Sequence, residues 1–303
     1  ETNRFDEIVS LKPMMPQNSL MELPYNCIYL HAKCNKNLLM LYQGVLTKME
    51  TEFSKPIQYF LVLENDILNM NQLLNKKLTL SFVKYQCLNC SSEAPIFRQG
   101  FCKSCFFELP QAADWIMRPE LSKAHLDQEE RDLEYEKRVQ LQPHIVYLAN
   151  SSNVKVGVTR KTQVPTRWID QGAQEALEIV EVPNRYLAGV TEVALKKYVS
   201  DKTNWREMLK GTAPDENLED WRQRLSEYIP EESKSYFLAN QKPLKLEFPV
   251  QKYPEKPKSL NLTKTPEYTG VLKGIKGQYL IFEDNTVFNV RSNEGLVVGL
   301  NVS

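Results

Sequence analysis

His144-Ile145-Val146-Tyr147-Leu148-Ala149, then Asn150-Ser151-Ser152-Asn153, then Val154-Lys155-Val156-Gly157-Val158-Thr159 is the run on which the fold turns. Apolar and β-branched residues dominate its first and last parts, and four small polar residues separate them, so it predicts a β-hairpin. Pro165 then opens a helix through Arg167, Trp168 and Ile169, since a first-turn proline gives up an N–H that has no intrahelical partner anyway. Residues 177–182 predict a third strand and residues 187–199 a second helix. Thr166 to Gly172 reads as a helix ending on glycine, with Trp168 packed inward.

Upstream of the hairpin, residues 118–140 mix charge signs at helical spacing, most densely from Glu129 to Arg138, and predict a solvated helix. Before them stand Cys87-Leu88-Asn89-Cys90 and Cys102-Lys103-Ser104-Cys105. Two CxxC pairs supply four thiolates, the tetrahedral donor set of a structural Zn²⁺ site that leaves no position for a reacting water. Gly100-Phe101 ahead of the second pair and Phe106-Phe107 after it predict a tight turn and then a helix start, the plan of a treble-clef or zinc-ribbon module. Disulfide or simply buried pairs are the alternative. Cys27 and Cys34 lack such spacing and read as free thiols.

Further out, Tyr42-Gln43-Gly44-Val45-Leu46 echoes Tyr268-Thr269-Gly270-Val271-Leu272, and Tyr59 to Asp66 echoes Tyr279 to Asn285. Both ends therefore predict small antiparallel β units; either the similarity is chance, or the termini meet in one β unit. Leu218, Trp221, Leu225 and Tyr228 recur at helical spacing, and the prolines between Phe248 and Lys258 predict an extended linker. Met40 reads as a natural start. The expected organisation is an α+β, multi-domain chain: extension 1–39, β unit 40–83, zinc module 84–118, charged connector 119–142, core 143–211, helix and linker 212–258, and β unit 259–303.

With 303 residues, 42% hydrophobic and 25% charged, the chain can bury more than one core. No segment approaches the roughly 18 apolar residues of a membrane helix, and no signal sequence opens it, which predicts a cytoplasmic protein without a membrane partner. Lys plus Arg equals Asp plus Glu at 38 each, so no global field steers the protein to nucleic acid. Any DNA or RNA contact must come from a local patch. Basic residues do outnumber acidic ones between His144 and Gly211.

The β-β-α-β-α order over residues 144–200 resembles the GIY-YIG nuclease superfamily, in a divergent branch whose second strand reads Lys-hydrophobic-Gly-hydrophobic-Thr. Ile145-Val146-Tyr147 stands in the first half of the motif and Lys155-Val156-Gly157 in the second. Arg167 matches the helix arginine and Glu192 the acidic residue of the later helix. The longer run from the cysteines to Asp201-Lys202-Thr203-Asn204-Trp205-Arg206 is similar to an uncharacterised bacterial, Bacteroidetes-like family that joins a four-cysteine zinc module to such a core and brings no established reaction.

The resemblance implies phosphodiester chemistry, in which a tyrosine orients water, one carboxylate holds Mg²⁺ and an arginine neutralises charge on phosphate. Tyr147, Lys155, Arg167 and Glu192 are the catalytic candidates. Lys155 replaces the second tyrosine, however, and the histidine expected one turn past the arginine falls near Asp170-Gln171-Gly172, departures that favour binding without cleavage. Each candidate also has an ordinary reading: Tyr147 in the core, Arg167 paired with Asp170, Glu192 paired with Lys196 at i+4. Arg160, Lys161, Lys202 and Arg206 are candidate phosphate contacts, and Trp205 a candidate base-stacking ring or helix-start core residue. Three functions stay open: a zinc-containing nucleic-acid-binding protein with an inactive core, a Mg²⁺-dependent endonuclease, and a zinc-braced scaffold for a protein partner.

Overall fold

In the computed structural model, residues 40–64 and 66–303 are described, so the expectations for residues 1–39, with Cys27, Cys34 and His31, lie outside them. His144–Asn150 and Val154–Arg160 form the predicted hairpin, in register from His144 opposite Arg160 to Asn150 opposite Val154. Glu175–Val182 pairs with the other side of His144–Asn150, and Leu244–Lys245 adds a fourth strand beyond it. Every residue of His144–Asn150 is buried, because the strand is central and both its faces are covered. Val146 and Leu148 join Ala188, Leu195, Leu218 and Leu225 on one face. Ile145, Tyr147 and Ala149 join Trp168 and Ile169 on the other.

The helices follow the hairpin in the expected order. Thr166–Asp170 is short and is stopped by Gly172 at φ +67°, with Trp168 buried as its position requires. Arg185–Leu195 begins two residues earlier than expected, because the Asn184 side chain caps it by accepting the Leu187 N–H. It also stops short of residue 199. Val156 N–H donates to the Ser200 carbonyl at 2.8 Å, and this bond draws the chain out along the edge of Val154–Arg160.

The two ends of the described chain share one seven-stranded sheet rather than forming two small units. Leu296–Val302 lies between Met40–Val45 and Lys77–Tyr85, and Lys77–Tyr85 in turn pairs with Glu267–Lys276. The reason is backbone satisfaction: a short two- or three-stranded unit leaves edge N–H and C=O groups unpaired, and each terminal segment supplies the other's missing ladder. A side sheet of Glu50–Glu52, Gln58–Leu63 and Asp66–Asn69 packs close by, and Gly44 makes room for it, since a Cβ there would stand 2.9 Å from the Leu63 backbone. The proline-rich segment is extended but pinned. Phe248 is buried, and Val250 forms a bridge with Gly274.

The charged connector departs from its expectation. Only Leu133–Gln140 is helical over more than a single turn, and it is preceded by single turns at Pro119–Leu121 and Ala124–Leu126. Glu136 is buried, not solvated, because its carboxylate accepts the N–H groups of Glu130, Arg131 and Asp132 at 2.8 to 3.3 Å. Asp170 ties the core to the terminal sheet: it meets Arg291 at 3.2 Å, Lys48 at 3.4 Å and the Gln278 amide at 2.8 Å. Its partners therefore come from afar, not from Arg167. Among the described residues no helix is long and apolar enough to cross a membrane.

Candidate functional site

Two constellations carry chemistry. The first is the cysteine set. Cys87 and Cys90 sit in a turn closed by Ser91 N–H donating to the Cys87 carbonyl at 2.9 Å. The hairpin of Ile96–Arg98 and Phe101–Cys102 turns through Gln99 and Gly100, both at positive φ, and helix Lys103–Glu108 starts at once, with Cys105 in its first turn. All four sulfurs lie within 4.8 Å of one another. Cys90 Sγ and Cys102 Sγ are 3.8 Å apart; a Zn–S bond of about 2.3 Å gives a tetrahedral edge of about that length.

The surroundings favour the thiolates of Cys87 and Cys90, whereas at Cys105 the Asn89 amide is outweighed by burial and the neighbouring sulfurs, which push the thiol up to about 12. Cys102 N–H points at Cys87 Sγ and the Asn89 amide at Cys105 Sγ, each at 3.3 Å. Burial opposes ionisation of Cys87, but N–H donors from Cys90, Cys102 and Asn89 pull its thiol down to about 6. Four such donors can hold a metal such as zinc and close its coordination sphere.

The second constellation lies on the hairpin of the central sheet and the two helices that follow it. Tyr147 faces Gly157 across the hairpin, and only glycine fits there: a Cβ would stand 2.6 Å from the phenol oxygen. Gln171 Nε2 donates to that oxygen at 2.6 Å. Burial pushes the Tyr147 phenol up, while the Arg167 guanidinium beside it works the other way.

Lys155, on the edge strand and bridged to Ser200, is buried. Burial, reinforced by Arg167, lowers its amine to about 8 against the pull of Glu192 and Asp201. Burial raises Glu192, Lys196 offsets this, and Asp201 and Glu120 add to it. Lys196 Nζ lies 3.5 Å from Glu192 and 3.4 Å from Asp201, so the i+4 pair is made. Arg167 and Glu192 thus each act on both Tyr147 and Lys155.

The outer basic residues are dispersed. Lys161 binds Glu181 at 2.7 and 2.9 Å, and Arg160 is half-buried opposite His144. Lys202 is exposed on the segment that runs past Ser200. Trp205 starts a helix capped by Asn204 and stacks on Tyr279 of the terminal sheet, ring centroids 5.8 Å apart, with Arg206 4.3 Å from its centroid.

Gln171 follows Arg167 at i+4, in the Asp170-Gln171-Gly172 stretch where the resemblance expects a histidine. Two further neighbours, Arg185 and Glu120, escape a reading of the sequence. Arg185 donates to the carbonyls of Trp115 at 3.1 Å and Ile116 at 2.7 Å, clamping the end of the 84–118 segment to the core, and burial lowers it to about 10. Glu120 then rests on Gly189, where a Cβ would come within 2.2 Å of its backbone N.

A family model described as a protein of unknown function (DUF2797) matches residues 75–298, well over half the chain and inclusive of both constellations. No curated protein and no solved structure matches.

Proposed function

The chain belongs to the DUF2797 family, and we propose that it is a metal-braced protein that binds nucleic acid through its phosphodiester backbone, with a core that resembles the GIY-YIG nucleases but does not cleave. What supports this reading is that Arg167 and Glu192 both act on buried Tyr147 and Lys155 of the hairpin, and on half-buried Arg185 beside them. Half-exposed Arg167 and Arg160 are the groups open to a phosphate.

Binding is favoured over cleavage by the state of the phenol. Tyr147 is buried, raised above its ordinary pKa and already accepts the Gln171 N–H, so at neutral pH it is neither ionised nor open to a water. Zinc, held by Cys87, Cys90, Cys102 and Cys105, would hold the module in shape and take no part in a reaction. Mg²⁺ at Glu192 belongs to the alternative, the endonuclease.

Two measurements decide between them. Arg167→Ala with Arg160→Ala should weaken oligonucleotide binding and flatten its salt dependence; unchanged affinity removes the binding reading. Labelled oligonucleotides incubated with Mg²⁺ should stay intact, whereas nicking that is abolished by Glu192→Ala would establish the nuclease.

A further inference from the structure

The metal module carries a surface that its metal-binding role does not use. Phe97 and Phe107 are 42% and 56% exposed, and with half-buried Phe106 they form a triad of rings with centroids 5.2 to 5.6 Å apart. The Phe106 and Phe107 rings meet edge to face, and Phe97 and Phe107 are tilted at 37°, so none of the three is closed off by flat stacking on another. The Arg98 guanidinium lies 5.4 Å from the Phe97 centroid. Aromatic rings cost free energy when left in water, and a hairpin with a six-residue helix has other residues available to bury its metal site.

The charges around the triad select its occupant. From Ile96 to Phe107 the charged side chains outside the metal ligands are Arg98 and Lys103, both exposed. The flanking carboxylates are already engaged: Glu108 accepts the Ser104 hydroxyl at 2.8 Å, and Glu93 meets Lys84 at 2.7 Å. Rings with the Arg98 guanidinium over one of them and exposed Lys103 on the same segment match the two faces of one nucleotide, its base and its phosphate. Bases offer that face only when unpaired. An apolar protein ridge would cover the rings but leave both cations against it uncompensated.

The triad is also fixed relative to the hairpin site. Arg131 of the connector donates to the carbonyls of Phe106 at 2.9 Å and Leu109 at 2.6 Å, and Arg185 of the core donates to those of Trp115 and Ile116, so the 84–118 segment is held from both sides.

We infer that Phe97, Phe107 and Arg98 form a stacking platform for single-stranded nucleic acid, which extends the phosphate-binding site of the core. The inference rests on the proposed nucleic-acid reading and names the strand state it requires. The test is fluorescence anisotropy at low salt, with fluorescein-labelled oligo-dT and oligo-U as probes and a mixed-sequence duplex as comparison. The variants are Phe97→Ala with Phe107→Ala, Arg98→Ala, and Arg167→Ala for the core, each checked for zinc content and secondary structure.

The expected result is tighter binding of the single strands than of the duplex, and a loss of single-strand affinity of roughly fivefold to a hundredfold per stacked base in the phenylalanine variant. Full single-strand affinity in that variant overturns the platform and leaves the core reading standing. Loss in the phenylalanine variant with none in Arg167→Ala keeps the platform and overturns the core reading. Absence of binding to every probe overturns both.

Discussion

At the scale of single residues, Gly157 and Lys276 make opposite kinds of prediction. Gly157 is glycine because the Tyr147 phenol occupies the space of its side chain. Gly157→Ala should cost about 1–3 kcal/mol by overpacking, read as a lowered urea midpoint, and Tyr147→Phe in that background should recover part of the loss by removing the nearest atom. Equal loss with and without the hydroxyl would place the clash elsewhere. The site was legible here only in part: the Lys-Val-Gly pattern marked the position, but the steric reason for the glycine lies on the opposite strand.

Lys276 is fully buried with no hydrogen-bond partner, between the rings of Phe248 and Tyr253 at 5.5 and 5.6 Å, and burial lowers its amine from 10.5 to about 8. Below about 8 both folded and unfolded chains hold the proton, and the folded state carries the whole desolvation cost less what the two rings return. Between about 8 and 10.5 the folded amine is neutral while the unfolded one is still charged, so the unfolded chain binds more protons and stability rises with pH. Lys276→Met should therefore be more stable than the native protein at neutral pH, by roughly 1–3 kcal/mol, and its advantage should shrink as pH climbs through that window. A constant gap in urea midpoint across pH would show that the amine does not titrate there.

At the scale of elements, periodicity served well where the environment was simple. The hairpin, both helices of the core and the third strand were legible because each buries a regular face, with His144–Asn150 the extreme case. The connector was not legible, because its charges act locally: Glu136 folds back onto three backbone N–H groups instead of meeting water. The cysteine module was legible from spacing alone, because the chemistry of four thiolates fixes their number and order.

Removing the metal tests how far that module stands by itself. Its buried set is small, Cys87, Cys102 and Cys105 with Ile96, Phe101 and Leu109 packed against them, so a metal bound by the four cysteines would carry much of the module's stability. Chelation should release amide protection across residues 87–109 in hydrogen exchange while the strands of the central sheet stay protected. Loss of protection in both at the same chelator dose would mean that the metal holds the whole molecule.

At the scale of the whole molecule, the short echoes between the two ends were legible as strands, and their meeting in one β unit was one of the two readings they offered, but the register over more than two hundred residues leaves no trace in local pattern. The decisive strand is Leu296–Val302, which closes Met40–Val45 on one side and Lys77–Tyr85 on the other. Leu300 sits at its centre, fully buried, opposite Tyr42 and Leu80, within the same apolar cluster as Ile145 and Tyr147 of the core. Leu300→Ala leaves a cavity there and should cost about 2–5 kcal/mol. If the ends are one cooperative sheet, amides of residues 40–45, 77–85 and 296–302 will lose hydrogen-exchange protection together and by similar free energies. Separate β units would instead show faster exchange in the C-terminal strand alone, with residues 40–45 unchanged. Because the cluster runs on into the central sheet, the same variant should also loosen Tyr147 without touching it, seen as faster hydrogen exchange at the amides of Tyr147 and Gly157.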